Sequence, residues 1–527
     1  MSRKRLFFYL GLICLLTVLL RIPSLLVNFH NIDENEVALA GRILAEGGLP
    51  YRDYMIYQPP LLYYFYASVI KLIPTPELAD SMWWVRFVML FYVALTSVAI
   101  YFVGRRAFGD PKKGLFGALF FAVFSTTYLP QDMLAANIEI FMVLPMTLCL
   151  LFFLRENYFI SGLWLGLVIL CKYNGGILLP ALGFTLLMQK RWRCVWPLFR
   201  VVGGSVLVFA LWVLYLQRSG AMPYALRCFE YILTYAQGPS QNDLPYIILK
   251  FLLRTFLIGF SGFGLWYFAI KAFRSALGRP AFVFVLWILF GFLAIVAGGR
   301  MYFHYYLIIY PPLALLAGEQ VVFFLERLKN LPFEKGMWRL TLFILMLSIP
   351  VTGFTAYATY KPFRPKSKRD EWIYVVDYIR DRTKKTDPVF VWGYCPQIYT
   401  ASNRPMASRF TTSDYLTGRT PKTAGLEYDP KTPNPPSVWK KLIGDFTTPS
   451  VVIDYDTSEN IFPGSWDLLM EDFKKSSPEL IVDTSPSNYR MYGRYPMSKF
   501  PLLSDWVKKN YRFEASIRGM DIYRKRK

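Results

Sequence analysis

Two adjacent carboxylates, Asp33 and Glu34, follow the first long apolar segment of the chain. That segment covers residues 6–27, which is long enough to cross the hydrocarbon core of a bilayer. Ionisable side chains at a membrane must be solvated or matched by partners, so a pair of them adds little to stability. A positioned carboxylate can, however, take a proton from a reacting hydroxyl group. The pair therefore predicts proton transfer involving a lipid-borne substrate.

A purely structural role is the alternative for Asp33. Glu36 stands three residues later, and this spacing resembles a capping box at the start of a helix over 34–46. A carboxylate at a helix start can cap the helix and also act on a substrate.

An aromatic segment, YQPPLLYY, covers residues 57–64. We expect Tyr57, Gln58 and Tyr63 to line the substrate region because they follow the carboxylate pair so closely. An interfacial aromatic belt with proline at a helix start is the alternative explanation.

The composition indicates a polytopic membrane protein. Of the 527 residues, 54% are hydrophobic and only 18% are charged, whereas soluble proteins have closer to a quarter charged residues. The net charge of +23 would suggest nucleic acid in a soluble protein. Many of the cations lie in short loops between apolar segments, so we expect membrane lipids and no nucleic acid as partners.

Basic clusters predict the topology. MSRKR places the N-terminus in the cytoplasm, and Arg105, Arg106, Lys112 and Lys113 mark a second cytoplasmic position. An even number of crossings must separate the two clusters, so the short segment 59–73 is expected to lie at the surface or re-enter. About eleven crossings follow: 6–27, 83–104, 114–130, 138–154, 159–171, 176–189, 196–217, 245–270, 281–297, 305–325 and 338–357.

The composition changes near Lys361. A basic linker leads into an amphipathic helix and a buried strand ending in VFVW, and further strand candidates are VVIDYD (451–456) and the terminal MDIYRKR. We therefore expect a polytopic α-helical membrane domain over 1–360, with juxtamembrane helices, and a soluble α/β domain over 361–527. Eleven crossings place this second domain outside the cytoplasm.

The order of these motifs resembles a known superfamily. The DE pair, then GLPYRD (48–53), then PPLLYY is similar to the GT-C membrane glycosyltransferases. The nearest branch is the family 39/83-like group, which is related to protein O-mannosyltransferases and to the lipid A aminoarabinose transferase. The similarity extends to about residue 325. Relatives often have a charged residue before the double proline, and this chain has Gln58 there.

The resemblance implies an inverting glycosyltransferase, a hexosyl- or pentosyltransferase of cell-envelope glycosylation. It would take a sugar from a polyprenyl-phosphate donor outside the cytoplasm, and Asp33 would be the base. We expect an integral protein of a prokaryotic plasma membrane. Its acceptor is left open as a glycolipid, a polysaccharide or a protein.

Further site residues follow from the same resemblance. An outer-loop acid of the family is best matched by Glu139, with Glu34 and Asp132 as additional catalytic candidates. A helix-start charge is the alternative for Glu139. Arg300 and His304, in GGRMYFHYYLIIYPP, are the first candidates for the donor phosphate.

Lys172 lies between two short helices, so it needs a carboxylate or a phosphate as partner and is a third candidate for the donor phosphate. Snorkelling to the interface is the alternative for Lys172, and interfacial packing is the alternative for His304. The outer loop 220–245 is a candidate lid or a simple connector. No spacing of His, Asp and Glu requires a metal or another cofactor, and a divalent metal is left open.

Two other functions compete with glycosyl transfer. A transporter or flippase of lipid-linked sugars would use the charges to line a path, although such proteins usually have internal repeats with matching broken helices. A glycan polymerase or ligase with diphosphate-linked donors would use similar chemistry.

Overall fold

The structure is a computed structural model that describes residues 2–27, 31–235, 244–277, 279–297, 299–364, 370–420 and 456–527. The chain is helical as far as residue 360. The α-helices of this part are α1 Arg3–Arg21, α2 Ile32–Ala45, α3 Leu61–Leu72, α4 Leu78–Phe108, α5 Pro111–Phe124, α6 Pro130–Met133, α7 Ile138–Leu154, α8 Tyr158–Cys171, α9 Leu178–Lys190, α10 Val195–Ser219, α11 Met222–Tyr235, α12 Leu244–Ser261, α13 Phe263–Ala276, α14 Phe282–Val296, α15 Tyr310–Leu328 and α16 Phe333–Tyr360.

Several of these helices can cross a bilayer. By length and apolar composition, five helical segments of the described chain qualify, and a sixth does if α12 and α13 form one span. Helices α3, α7, α8 and α14 are apolar but shorter. An integral membrane protein is thus confirmed, while the count of about eleven crossings stays a prediction.

The predicted span 245–270 is divided in the structure. Helices α12 and α13 are bent by 107° at their junction. Ser261 and Gly262 stand at this break, and such small residues are a common cause of sharp bends because they leave the helical ladder weakly supported. The segment is therefore a broken helix pair and not one straight rod.

Close helix contacts at glycine hold the bundle together. A Cβ atom at Gly318 of α15 would lie 2.4 Å from the backbone nitrogen of Gly117 in α5. A Cβ atom at Gly162 of α8 would lie 2.1 Å from the carbonyl oxygen of Val201 in α10. The backbones of each pair touch directly, which is how helices gain van der Waals contact where lipid removes the hydrophobic driving force.

The C-terminal part contains a small mixed sheet. Its strands are β1 Val389–Trp392, β2 Leu480–Asp483, β3 Tyr511–Ile517 and β4 Met520–Lys525, and its α-helices are α17 Trp372–Arg382, α18 Gln397–Ser402, α19 Asp414–Thr417, α20 Ser465–Lys475 and α21 Pro501–Asn510. The strand order is β1-β2-β4-β3, with β1 and β2 parallel and the other pairs antiparallel. The predicted strands at VFVW and MDIYRKR are confirmed. Of the strand predicted at 451–456, residues 451–455 lie outside the described residues.

This C-terminal unit packs against the segment that follows the first apolar helix. The Arg42 guanidinium donates to the Asn403 side chain at 3.3 Å and to the Arg404 carbonyl at 3.2 Å. The Met55 amide donates to the Arg409 carbonyl at 2.9 Å. The unit therefore lies on the same side of the bundle as Asp33.

Candidate active site

Helix α2 positions Asp33. The helix begins at Ile32, and its N-cap is Asn31, whose side-chain oxygen accepts a hydrogen bond from the Asp33 amide at 2.7 Å. The predicted capping box led by Asp33 is therefore wrong, because Asn31 already occupies the cap. The Asp33 carboxylate is 47% exposed and sits in the first turn, where negative charge is favourable.

Glu34 is held in the protein interior. Its two oxygens accept from the Arg86 Nε and Nη2 atoms at 2.7 Å each, and both side chains are almost fully buried. The same carboxylate accepts from the Ala136 amide at 3.2 Å. Arg86 also donates to the carbonyl of Val27. Glu34 was predicted to be catalytic, and that role stays a prediction; its contacts have the geometry of a positioning residue, because they join α2, α4 and the segment before α7.

His304 brings three distant acids together. Its Nδ1 atom lies 3.3 Å from Asp132 Oδ1, while its Nε2 atom lies 3.8 Å from Glu139 Oε2 and 3.9 Å from Asp33 Oδ2. The ring is buried and stacks on Tyr302 with 5.5 Å between centroids. His304 was predicted to contact the donor phosphate, and that role stays a prediction. In the structure its ring lies between the carboxylates of Asp33, Asp132 and Glu139.

Lys172 completes this cluster. Its ammonium lies 2.5 Å from Glu139 Oε1 and 3.9 Å from the centroid of the Tyr305 ring. Lys172 directly follows α8 and precedes a 3₁₀ helix, as the two predicted short helices required. The prediction that it meets a carboxylate or a phosphate is confirmed for the carboxylate.

Arg300 lies in a loop that two other cations hold. The Arg254 guanidinium donates to the carbonyls of Arg300 and Met301 at 2.8 and 2.9 Å. The Lys250 ammonium donates to the Gly299 carbonyl at 3.0 Å. Met301 has a φ of +48°, a left-handed conformation that costs a non-glycine residue free energy. These contacts stabilise that conformation.

Lys250 and Arg254 were not among the predicted residues. The sequence could have indicated them, because these two basic residues stand four positions apart within the apolar sequence YIILKFLLRTF. Ionisable residues within apolar helices usually face a functional interior.

The predicted lining residues differ in their surroundings, and only Tyr57 has a ring contact with the C-terminal unit among the contacts of the described residues. The Tyr57 ring is 6.2 Å from the Tyr415 ring, and the Tyr63 ring is 6.2 Å from the Tyr54 ring. The side-chain oxygen of Gln58 is buried and accepts no hydrogen bond from the described residues. The side-chain oxygen of Gln58 therefore remains available to accept a hydrogen bond.

Two further expectations concern the lid and a metal. Residues 222–235 of the predicted lid form α11, and its Tyr231 ring lies 5.5 Å from the Tyr415 ring. Residues 236–243 lie outside the described residues, so the lid stays a prediction. In the described chain, no group of three or more His, Cys, Asp or Glu side chains is arranged to hold a metal ion.

We expect Glu34→Gln to destabilise the protein by about 3–5 kcal/mol, because it leaves the Arg86 charge buried without its counterion. The double variant Glu34→Leu/Arg86→Met should recover much of that loss, since neither charge remains. Thermal unfolding of the purified full chain measures both effects. Unfolding of Glu34→Gln at the wild-type temperature would contradict the positioning role.

Comparisons with known proteins agree with this architecture. Residues 57–215 match the model of the dolichyl-phosphate-mannose-protein mannosyltransferase family. No protein with a curated function matches the chain by sequence.

Solved structures match nearly the whole chain. The Archaeoglobus fulgidus oligosaccharyltransferase tethered with an acceptor peptide aligns with a TM-score of 0.55 and 13% identity, covering 100% of this chain and 74% of that one. The archaeal oligosaccharyltransferase AglB from the same organism, in complex with an inhibitory peptide and a dolichol-phosphate, aligns with a TM-score of 0.54 and 13% identity. This alignment covers 100% of this chain and 75% of that one. ArnT from Cupriavidus metallidurans bound to undecaprenyl phosphate aligns with a TM-score of 0.53 and 12% identity. This alignment covers 99% of this chain and 98% of that one. The resemblance seen in the DE pair and the double proline is thereby confirmed, and the chain has the fold of the GT-C membrane glycosyltransferases.

Proposed function

We propose that the protein is an inverting glycosyltransferase that moves a sugar from a polyprenyl-phosphate donor to an acceptor on the extracytoplasmic face of the membrane. The observation that carries this proposal is the placement of Asp33. Its carboxylate is half-exposed, while the charged groups around it are buried and paired. A reacting hydroxyl can therefore reach it.

The chemistry follows from that placement. The acceptor oxygen forms a bond to the anomeric carbon from the face opposite the phosphate, and the bond between that carbon and the phosphate oxygen breaks. The electron pair leaves with the phosphate, and the acceptor proton passes to the Asp33 carboxylate. Attack from the opposite face inverts the configuration.

The leaving phosphate needs cations, and we propose Arg300 for this role; its guanidinium lies 6.0 Å from the centroid of the Tyr302 ring, which stacks on His304. Lys172 and His304 were also candidates, but both face Glu139 and its neighbouring acids. The Arg300 loop is anchored by Lys250 and Arg254, and the Arg254 guanidinium adds positive charge close by. Fixed cations of this kind stabilise the charge that develops on a departing phosphate.

The transporter alternative has one observation in its favour. Helices α12 and α13 form a broken pair, a feature of many transporters. Among the described residues, this is the one bent helix pair that is long and apolar enough to span a membrane. The described residues therefore contain no matching broken pair in a second half of the chain. The polymerase or ligase alternative differs in its donor, and parallel assays with monophosphate- and diphosphate-linked sugars separate it.

We expect Asp33→Asn to lower the rate of sugar transfer by about two to four orders of magnitude, because an amide cannot accept the proton. Transfer from a panel of polyprenyl-phosphate sugars to a membrane extract measures the effect. Asp80→Asn, an exposed acid in the first turn of α4, is the matched control. Wild-type turnover in Asp33→Asn would remove Asp33 from the role of base.

Arg300→Ala should weaken binding of undecaprenyl phosphate about ten- to a hundredfold, because a hydrogen bond to a charged group is lost. Arg300→Lys should restore part of the affinity, since it keeps the charge but not the planar fork of donors. Titration of the purified protein gives both values. Arg218→Ala, an exposed arginine in the last turn of α10, is the control. If Arg300→Ala binds as tightly as this control, another cation holds the phosphate.

The proposed orientation places the C-terminal unit outside the cytoplasm. Ser458 is exposed in that unit and Lys329 is exposed after α15, in a loop predicted to be cytoplasmic. An impermeant thiol reagent should label Ser458→Cys in intact cells and Lys329→Cys only after lysis. The native cysteines are buried or partly buried, so background labelling should be low. The reverse pattern would refute the orientation.

A further inference from the structure

A cavity of about 550 Å³ lies in the C-terminal unit. Its walls are the end of β2, the beginning of β4, helix α21 and parts of the segment 485–498. Asp483 and Ser485 are buried in its lining, whereas Pro486, Ser498 and Lys508 are exposed. The cavity therefore reaches from the interior of the unit to its surface, and its volume is typical of a small-molecule site.

Two carboxylates stand opposite each other in this cavity. Asp483 ends β2 and pairs with Asp521 of β4 across the antiparallel ladder, so both side chains lie on the same face of the sheet. Like charges in this arrangement destabilise a sheet. The Asp483 carboxylate accepts from the Ser485 amide at 2.9 Å. Within the described residues, the Asp521 carboxylate makes no hydrogen bond or ion pair.

The hairpin of β3 and β4 keeps this pair in register. Ile517 and Met520 are partners around the two-residue loop Arg518–Gly519, whose φ angles are +54° and +78°. Two left-handed residues are typical of a tight hairpin turn, and such a turn fixes the register of its strands. A Cβ atom at Gly519 would lie 3.3 Å from the Cβ atom of Ser487, so the turn also rests on the segment beside the cavity.

The opposed carboxylates leave room for donors from a ligand. Burial raises the pKa of Asp483 to about 6 against the effect of the Ser485 hydrogen bonds, and the charge of Asp521 contributes to the increase. Hydrogen bonds donated to an ionised carboxylate stabilise its charge. A ligand with several hydroxyl groups could donate to both carboxylates at once, because each has two acceptor oxygens.

The rest of the lining is mixed in polarity. Lys508 is the one basic residue among the described residues that line the cavity, and its ammonium lies 3.7 Å from Asp505. The half-buried Tyr523 supplies an aromatic ring, and Met497 and Val507 supply apolar surface. The remaining lining side chains with hydrogen-bonding groups are the neutral Ser485, Asn488, Ser498 and Ser504.

Short contacts connect the cavity to the helix that carries Asp33. The Tyr489 hydroxyl, next to Asn488 in the chain, accepts from the Gln397 Nε2 atom at 3.0 Å. Gln397 begins α18, and the Thr400 hydroxyl of the same helix donates to the Asn35 side chain of α2 at 2.5 Å. Helix α18 therefore joins the border of the cavity to α2.

We propose that this cavity binds a neutral, hydroxyl-rich saccharide unit of the acceptor. Carboxylates and serine hydroxyls match the hydroxyl groups of a sugar, and a tyrosine ring with apolar neighbours matches its apolar face. The competing occupant is a divalent cation, but Ca²⁺ takes roughly six to eight oxygen ligands, and the described lining supplies two carboxylates. The assignment to the acceptor rests on the proposed function.

The test measures binding without turnover. Neutral mono-, di- and trisaccharides of hexoses and pentoses are titrated by saturation-transfer NMR against the full chain in nanodiscs, with EDTA present. At least one saccharide should bind the wild type and bind Asp521→Asn about tenfold more weakly, because a charge-assisted hydrogen bond becomes a neutral one. Asp467→Asn, an exposed acid in the first turn of α20, should bind as the wild type does.

Thermal unfolding of the same variants shows that the loss is not a folding defect. Asp521→Asn should unfold at the wild-type temperature or above it, because it removes one of two opposed like charges. Binding and stability should thus not fall together. A lower unfolding temperature for Asp521→Asn than for Asp467→Asn would contradict the opposed pair on which the proposal depends.

Two binding results would overturn the proposal. One is the absence of any saccharide whose affinity depends on Asp521 more than on Asp467. The other is Ca²⁺ binding that depends on Asp521, measured without EDTA, in a protein that binds no saccharide.

A second arm separates an acceptor sugar from the sugar of the donor. The affinity of an undecaprenyl-phosphate hexose is measured in Asp521→Asn and in the wild type. Equal affinities support the acceptor, whereas a loss would overturn that assignment. Failure of the proposed function would look different, because transfer would then be absent with every donor and Asp33→Asn would change nothing.

Discussion

The buried ion pair between Glu34 and Arg86 is the interaction that the placement of Asp33 depends on. Removing both charges from water is costly, and only a bidentate contact with further hydrogen bonds offsets that cost. The pair has that geometry. Successive residues of a helix point about 100° apart, so a fixed Glu34 directs Asp33 away from the core and toward His304. One ion pair thus orients the neighbouring residue.

The site is organised by the pairing of buried charges. Asp132 and Glu139 are partly or fully buried, and each is matched by His304 or Lys172. Asp33 alone among these acids is half-exposed. The surrounding pairs keep their own charges neutralised, which leaves Asp33 as the carboxylate that a substrate can reach. The basic residues Lys250 and Arg254 instead contact the backbone of the Arg300 loop.

Local patterns predicted the parts of this molecule that depend on local physics. The apolar segments, the helix after Asp33 and the strands β1 and β4 follow from periodicity and composition. The strands β2 and β3 were not predicted, although β2 has the same length of four residues as β1. The helix cap was misplaced by two residues because Asn31 and Asp33 are both good caps, and only the hydrogen bond decides between them.

Long-range pairing accounts for the site contacts that the sequence did not predict. His304 lies 172 residues from Asp132 along the chain, and Arg86 lies 52 residues from Glu34. No periodicity encodes such contacts, so a histidine that binds carboxylates looks the same in sequence as one that binds phosphate. Lys250 and Arg254 were visible as charges in an apolar helix, but their carbonyl partners lie more than 40 residues away.

Helix α2 links the base to the C-terminal unit. The Thr400 hydroxyl of that unit donates to the Asn35 side chain at 2.5 Å, and Asn35 stands between Glu34 and Glu36. One short helix therefore carries an anchor in the bundle at Glu34, the half-exposed Asp33 carboxylate proposed as the base, and a contact with the second unit at Asn35. Because a helix moves as a rigid element, a shift of the C-terminal unit against α2 would move Asp33 as well. The Asn35 contact thus connects the C-terminal unit directly to the helix that carries Asp33.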